Sequence, residues 1–184
     1  MLELDDLLRK HNYYEYPSCE FWTYISKHEV LPDDFIRKYA DKLNWQRVVK
    51  FQKLSSAIIE EFEDRLERSQ LFKKQKLSPR LIQKYQEYDI HWYPICEHQN
   101  LPESFIREFA DCVIWEYISS YQRLSESFIR DFSDRVHWPH ISRHQRLSEK
   151  FMTEFKDVLH WKRASRAQMM SEEFRFEIQM KGLI

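Results

Sequence analysis

The sequence predicts an all-α fold, an α-solenoid built from tandem repeats of 23 residues. Three observations support this prediction: a tryptophan returns at a fixed interval, other apolar residues recur in phase with it, and the alternation typical of strands is absent. Arg68 stands where one tryptophan of the series is missing, and one extra residue near positions 88 and 89 restores the phase. The tryptophans are Trp22, Trp45, Trp92, Trp115, Trp138 and Trp161.

The tryptophan series divides the chain into seven predicted repeats, preceded by an irregular N-terminal capping segment at residues 1–21. With tryptophan as position 1, position 4 is aliphatic, position 8 is mostly glutamine, and positions 14, 15 and 18 are mostly large and apolar. We expect residues 22–184 to form a single α-repeat domain in which each repeat packs on its neighbours. The predicted repeats are 22–44, 45–67, 68–91, 92–114, 115–137, 138–160 and 161–184.

Each repeat is predicted to contain two short helices. Positions 1, 4 and 8 fall on one side of a first helix, and positions 14, 15 and 18 fall on one side of a second. Helices of roughly eight and eleven residues are too short to persist alone in water, so both must bury their apolar faces against neighbouring repeats. Aspartates at position 20, such as Asp41 and Asp111, are predicted to cap or lead into the next first helix.

A start signal separates the two helices of a repeat. A serine followed by an acidic residue or proline suits an N-cap and a first helical turn. Pro32 and Pro102 replace the serine in two repeats, so the second helices of these repeats must begin without a serine N-cap. Gly182, the only glycine, is placed to stop the last helix. The predicted capping serines are Ser78, Ser125, Ser148 and Ser171.

One segment of the chain, Trp115 to Ile129, is similar to known repeats. Its sequence reads Trp-x-x-Ile-Ser-x-x-Gln-x-Leu-Ser-Glu-x-Phe-Ile. It resembles short tandem repeats in uncharacterised proteins of phages, large DNA viruses and some bacteria, and the likeness extends over residues 22–184. The resemblance implies an α-helical repeat protein and a viral or phage origin. It supplies no catalytic motif.

The composition of the sequence restricts the cellular compartment in which we expect the protein. The sequence contains no apolar run long enough to span a bilayer, and its first ten residues do not resemble a secretory leader. Three cysteines, Cys19, Cys96 and Cys112, form neither a metal-binding pair nor an even disulfide set. We therefore expect no membrane association and a cytoplasmic location, the host cytoplasm if the protein is viral.

The net charge of −1 conceals a segregation within the repeats. Positions 1–9 of the seven repeats contain 14 Lys and Arg against 3 Asp and Glu, whereas the remaining positions contain 13 against 22. Cations near the end of a first helix and acids at the start of a second complement helix dipoles, which is one explanation. The other is a basic surface that recruits an acidic partner and makes binding sensitive to salt.

The candidate binding surface consists of variable side chains on the first helices, chiefly positions 3 and 7, together with clustered cations. Variable positions on a fixed frame are where repeat proteins present recognition residues, although the aromatic ones could instead pack against the preceding repeat. A basic cluster in the last two repeats also includes Lys162, Arg163 and Arg166. The predicted partner-binding residues are Lys73, Lys74, Tyr93, His98, Tyr117, Tyr121, His140, Arg143, His144 and Arg146.

Catalytic and metal chemistry have little support in the sequence. His140 and His144 lie four residues apart, but a metal site needs further ligands and no glutamate lies between them. Cys96 lies close to His98 yet occupies an apolar or serine column, so we interpret it as a packing residue. We predict no cofactor, no metal and no enzymatic activity.

These observations favour a scaffold that binds another protein, one with an acidic surface. An accessory protein that occupies or blocks a host component is the form that the resemblance suggests. The alternatives are a nucleic-acid-binding protein that tracks phosphates with its cations and stacks bases on Tyr93, Tyr117 and Tyr121, and a structural component of a larger assembly.

Overall fold

The protein is all-α, as the sequence predicts. The computed structural model describes residues 3–13, 17–85 and 92–184; within them it contains fifteen α-helices and one short 3-10 helix, and no β-strand. The chain divides into two compact units, Met1–Ile90 and His91–Ile184, here called the N-terminal and C-terminal units.

In the N-terminal unit, first helices pack side by side in the manner of a helical-repeat solenoid. The first helices α2, α4 and α6 form a continuous row, in which α4 contacts both of its neighbours. A 3-10 helix, Glu63–Arg65, precedes α6. The helices are α1 (Leu4–Lys10), α2 (Cys19–His28), α3 (Asp33–Lys38), α4 (Trp45–Phe51), α5 (Ser56–Glu61), α6 (Arg68–Lys74) and α7 (Pro79–Lys84).

The C-terminal unit repeats this arrangement with greater regularity. Its first helices α8, α10, α12 and α14 pack in sequence, each against the next. Its helices are α8 (Trp92–His98), α9 (Glu103–Glu108), α10 (Trp115–Tyr121), α11 (Glu126–Asp131), α12 (Trp138–His144), α13 (Glu149–Glu154), α14 (Trp161–Ala167) and α15 (Glu172–Met180).

The second helices are shorter than the sequence pattern predicts. Most contain six residues and end at position 17, because the aromatic residue at position 18 leaves helical geometry and starts a turn. The carbonyl oxygen of Phe132, for example, accepts hydrogen bonds from the amides of Arg135 and Val136 at 2.9 and 3.0 Å. This turn lets the chain reverse between repeats without glycine.

The predicted capping serines are confirmed. Ser125 Oγ accepts a hydrogen bond from Phe128 N at 3.2 Å, and Ser78, Ser148 and Ser171 cap their helices in the same way. Pro32 and Pro102 occupy the N-cap without a side-chain bond. Gly182 follows α15 with a φ of 66°, which ends the last helix as predicted.

The position-20 aspartates lead toward the next first helix but do not cap it. The residue that precedes a first helix is at position 23, Asn44 before α4 and Ile114 before α10. Asp111 instead pairs with Arg135 of the following repeat at 2.7 Å, and Asp41 pairs with Arg65 at the same distance. These aspartates therefore link neighbouring second-helix segments across repeats.

Aliphatic residues and phenylalanines form the core, and the tryptophans connect repeats at its edge. Ile118 and Phe128 are fully buried, whereas Trp115 is partly exposed. The Trp115 ring lies 4.9 Å from that of Phe132 in its own repeat, and its Nε1 donates to the carbonyl oxygen of Ala110 in the preceding one at 3.0 Å. Each such tryptophan thus bonds two repeats together.

The buried glutamines at position 8 hold the backbone of the preceding repeat. Gln145 Nε2 donates to the carbonyl oxygens of Ser119 and Gln122 at 2.9 and 2.8 Å. Its Oε1 accepts a hydrogen bond from Leu124 N at 3.0 Å. Because unpaired buried amides are costly, one side chain satisfies three backbone groups of the loop between two helices. The same three bonds recur at Gln52, Gln75, Gln122 and Gln168.

The N-terminal capping segment contains a helix, which the sequence analysis did not predict. Leu7 of α1 is buried, and Lys10 and His11 at its end contact Glu29 at 2.8 and 2.7 Å. Glu29 occupies position 8 of the first predicted repeat, where the other repeats have glutamine. A carboxylate is suited to this position because its partners are side chains of α1 rather than the loop of a preceding repeat.

Candidate functional site

The exposed side chains of α8, α10, α12 and α14, together with those flanking these helices, form the surface that we call the first-helix face. In α10 and α12, positions 4, 5 and 8 are buried, and positions 3 and 7 lie one turn apart outside this buried set. Tyr93 and Tyr121 are exposed by 43% and 54%, and His98 is also exposed. Large apolar rings are therefore accessible on α8 and α10.

The tyrosines contact one another across repeats. The Tyr117 ring meets that of Tyr93 edge-on at 4.7 Å and stacks on that of Tyr121 at 5.8 Å. The interpretation that these aromatic residues pack against the preceding repeat is thus confirmed for Tyr117. Packing immobilises the rings while Tyr93 and Tyr121 keep much of their surface open, which lowers the entropy lost when a partner binds.

The α8 end of the first-helix face contains a carboxylate. A hydrogen bond with Glu97, followed by repulsion from its charge, raises the pKa of Tyr93 to about 12. Glu97 Oε2 also lies 3.6 Å from His98 Nε2. The basic character of the face is therefore confined to α12, α14 and the segment after α10.

Three histidines form a chain along the start and length of α12. Their rings lie 4.4 Å apart between His137 and His140 and 5.7 Å apart between His140 and His144. His140 Nε2 contacts Glu116 at 3.4 Å. Burial, followed by the positive charges of neighbours, lowers the pKa of His137 and His144.

The histidine chain and the nearby Glu116 are not arranged as a metal-binding group. In the described part of the chain, no group of three or more His, Cys, Asp and Glu is placed to hold a metal ion. The stacked rings instead continue the row of side chains begun by the tyrosines.

The cations of the first-helix face are not paired with acids. Arg143 and Arg146 are exposed, and among the described residues neither forms an ion pair. Arginines of the second helices differ, since Arg107 reaches Asp131 at 2.5 Å and Arg130 reaches Glu154 at 2.9 Å. The charge segregation inferred from sequence thus corresponds to two distinct environments for arginine.

Two cavities open on the first-helix face. The larger has a volume of about 600 Å³ and the smaller about 300 Å³. The smaller contains three residues predicted to bind a partner, Tyr121, His144 and Arg146, together with Arg123. The larger contains Arg143, and it adds residues that were not among the predicted partner-binding set: His160, Lys162, Arg163, Arg166 and Ala167.

The other two predicted partner-binding residues lie elsewhere. Lys73 and Lys74 are exposed at the end of α6 in the N-terminal unit, whereas the remaining eight belong to the C-terminal unit. The structure therefore gathers the tyrosines, histidines and arginines on one row of helices. It provides no reason to add Lys73 and Lys74 to that row.

Cys96 has the environment of a structural residue. It is fully buried, and burial raises the pKa of its thiol to about 11, although Ile114 N donates to its Sγ at 3.5 Å. Ser119 occupies the corresponding place in the next repeat and accepts a hydrogen bond from His137 N at 2.9 Å. A protonated, buried thiol in a serine site is a poor nucleophile.

Comparisons of the chain with protein-family models, with curated proteins and with solved structures found no match. No helix in the described ranges, 3–13, 17–85 and 92–184, is both long and apolar enough to cross a membrane.

Proposed function

We propose that the protein is a non-enzymatic scaffold that binds an acidic segment of another protein through the first-helix face of its C-terminal unit. The observation that carries this proposal is the contrast between paired and unpaired arginines on the two rows of helices. Arg107 and Arg130 contribute to repeat stacking through carboxylates of the next repeat, whereas Arg143 and Arg146 contact no acid within the described chain.

Helix-dipole compensation explains only part of the unpaired charge. Arg143 and Arg166 lie in the last turns of α12 and α14, where cations are favourable. Lys162 and Arg163, however, are the second and third residues of α14, where the dipole disfavours positive charge. Positive charge at a helix start, with no acid beside it, supports a role in binding an external anion.

The remaining side chains of the face suit a protein partner. Tyrosine and arginine are the residues that most often dominate binding energy at protein interfaces. Exposed Tyr93 and Tyr121 supply apolar area next to the cations, and Glu97 and Glu116 interrupt the positive charge. The phosphates of a nucleic acid strand would be repelled by these carboxylates, because the strand carries negative charge along its whole length. This repulsion weakens the nucleic-acid-binding alternative.

The resemblance of the repeats to those of phages and large DNA viruses leads us to place this activity in a viral or phage accessory protein. Its location in this proposal is the host cytoplasm, since Cys19, Cys96 and Cys112 are all free thiols, as expected in a reducing compartment. Blocking or recruiting a host component would then depend on the first-helix face.

The test uses charge reversal on each row of helices. Proximity labelling in the native cell identifies partner candidates, and a purified candidate is then titrated against the full chain. The double variant Arg143→Glu/Arg146→Glu should weaken binding by roughly tenfold or more, since it replaces attraction by repulsion at a buried contact. The matched control is Lys150→Glu/Lys156→Glu, which makes the same charge change at exposed residues of the second-helix half.

Equal affinities for the two double variants would contradict the proposal. A mobility-shift titration with single- and double-stranded DNA and RNA at two salt concentrations accompanies it. Tight binding that falls steeply with salt would transfer support to the nucleic-acid alternative.

A further inference from the structure

The larger cavity of the C-terminal unit lies between α12 and α14. It is lined by Arg143 of α12, by His160 in the connection that follows α13, and by four residues of α14. It is an open cavity with a volume of about 600 Å³, within the size range of ligand-binding clefts. The residues from α14 are Lys162, Arg163, Arg166 and Ala167.

The lining of this cavity is unusually rich in hydrogen-bond donors. Three arginines and one lysine line it, and no acidic residue is among its lining residues. None of these four cations forms an ion pair within residues 92–184. Repulsion between four unpaired cations is relieved when an anion of more than one charge enters.

Position 7 of the last predicted repeat, which lines this cavity, is small. The ring of Tyr121 at this position in α10 stacks on Tyr117, and that of His144 in α12 lies against His140. Ala167 leaves the corresponding space in α14 open. Every other predicted repeat has a larger residue at position 7, namely His28, Phe51, Lys74, His98, Tyr121 and His144.

We propose that this cavity binds the phosphate monoester of a phosphorylated serine, threonine or tyrosine in the protein partner. The assignment of a protein as the source rests on the proposed function. A phosphate monoester carries a charge of about −1.5 to −2 near pH 7 and three terminal oxygens, which match several converging donors. Guanidinium groups bind two such oxygens at once, and three of the four cations here are arginines.

The distribution of charge favours a phosphoprotein over a polynucleotide. Phosphodiesters carry one charge each and follow one another along a strand, so a strand requires a track of cations. The first-helix face instead concentrates cations around one cavity and places Glu97 and Glu116 along α8 and α10. One doubly charged group in one cavity fits this pattern.

The experiment measures fluorescence anisotropy of labelled twelve-residue probes with the full chain. The probes are a peptide with one phosphoserine among glycines and two glutamates, the same peptide with serine, the same peptide with a third glutamate, and an oligothymidylate. We expect the phosphopeptide to bind at least tenfold more tightly than the serine peptide. The double variant Arg163→Gln/Arg166→Gln should abolish that difference.

Two further variants separate the cavity from general charge and from misfolding. Ala167→Phe retains every cation but fills the space, and it should remove the preference for the phosphopeptide. Lys150→Gln/Lys156→Gln makes the same charge change as the arginine variant on exposed residues of the second-helix half and should leave the preference intact.

Equal binding of the phosphoserine and serine peptides would overturn the phosphate assignment. If the third-glutamate peptide bound as tightly as the phosphopeptide and depended on Arg143 and Arg146, the acidic-partner function would stand while this inference failed. If oligothymidylate bound more tightly than the phosphopeptide, and the arginine and lysine variants lost that binding equally, nucleic-acid binding would replace both the phosphate assignment and the acidic-partner function.

Discussion

The first and second helices of the C-terminal unit use arginine in different ways. On the second helices, Arg130 bonds Glu154 of the next repeat and lies 5.0 Å from the centre of the Phe151 ring. On the first helices, Arg143 and Arg163 line an open cavity and contact no acid within residues 92–184. Arg130 on the second-helix row thus contributes to repeat stacking, whereas the arginines that line the cavity on the first-helix row form no ion pair with a neighbouring repeat in the described residues.

The largest expected effect comes from breaking the frame that holds both rows in place. Gln145→Leu leaves two carbonyl oxygens and one amide of the preceding loop without partners in a buried site. We expect the free energy of unfolding to fall by about 3 kcal/mol or more, since each unsatisfied buried group costs on the order of 1–3 kcal/mol. Urea denaturation followed by circular dichroism measures the loss.

Ser142→Ala is the matched control for Gln145→Leu. Ser142 Oγ donates to Trp138 O and accepts from His160 N, and other repeats replace this serine by Val49 or Phe72. We expect a loss of about 1 kcal/mol. A loss equal to or greater than that of Gln145→Leu would show that the glutamines are not the principal connection between repeats.

The next effect tests the comparison directly by making one substitution on each row. Arg130→Gln removes a contact with Glu154 and Phe151, so the urea midpoint should fall, by less than for Gln145→Leu. Arg143→Gln removes no internal contact with an acid, so the midpoint should stay the same or rise as repulsion in the cavity is relieved. Binding of the acidic partner should weaken only in Arg143→Gln.

The smallest effect concerns Glu29, the one position-8 residue with a charge. A hydrogen bond from Lys10, and to a lesser extent one from His11, lowers the pKa of Glu29 below its ordinary value of 4.5. A lowered pKa in the folded state means that the stabilisation is present above about pH 4.5 and is lost as the pH falls through the folded value. The difference in urea midpoint between the protein and Glu29→Gln should therefore shrink between pH 6 and pH 3.

The control for this titration is Glu20→Gln, since Glu20 is an exposed carboxylate of the same helix α2 and forms no ion pair in the described ranges. The difference in urea midpoint between Glu20→Gln and the unmodified protein should remain near zero at every pH. A Glu29→Gln difference that persists unchanged at pH 3 would mean that the carboxylate does not attach α1 to the first repeat.

Much of the fold was predictable from the sequence because it depends on periodic burial. Ile118, Phe128 and Ile129 sit at recurring apolar positions, and all three are fully buried. The length of the second helices was predicted wrongly because position 18 is apolar in sequence yet begins a turn. Periodicity records which residues are buried, not where helical hydrogen bonding stops.

The role of the glutamines could not be derived from the pattern. Gln145 bonds backbone groups 21–26 residues earlier in the chain, and backbone groups leave no trace in the identities of side chains. The recurrence of a polar residue on an otherwise apolar face was the available signal, since a buried amide requires partners.

The candidate site was predictable only as a set of residues. The sequence located Arg143 and the basic cluster of the last two repeats, but only the packing of α12 beside α14 shows that these cations line one cavity. Helix-dipole compensation does not account for Lys162 and Arg163, because these two residues lie in the first turn of α14. The charge pattern in the sequence thus left two explanations for the basic residues, and the boundaries of α14 distinguish between them.

The most direct test of the central claim is an amide and arginine side-chain NMR titration of the full chain with the phosphoserine peptide. The account predicts that chemical shifts change on α10, α12 and α14, with the arginine Nε–H signals of the cavity moving most. Shifts on α9 and α11, where Arg107 and Arg130 are already paired with acids, should stay within experimental error. Shift changes centred on the second helices, or none at millimolar peptide, would contradict the account.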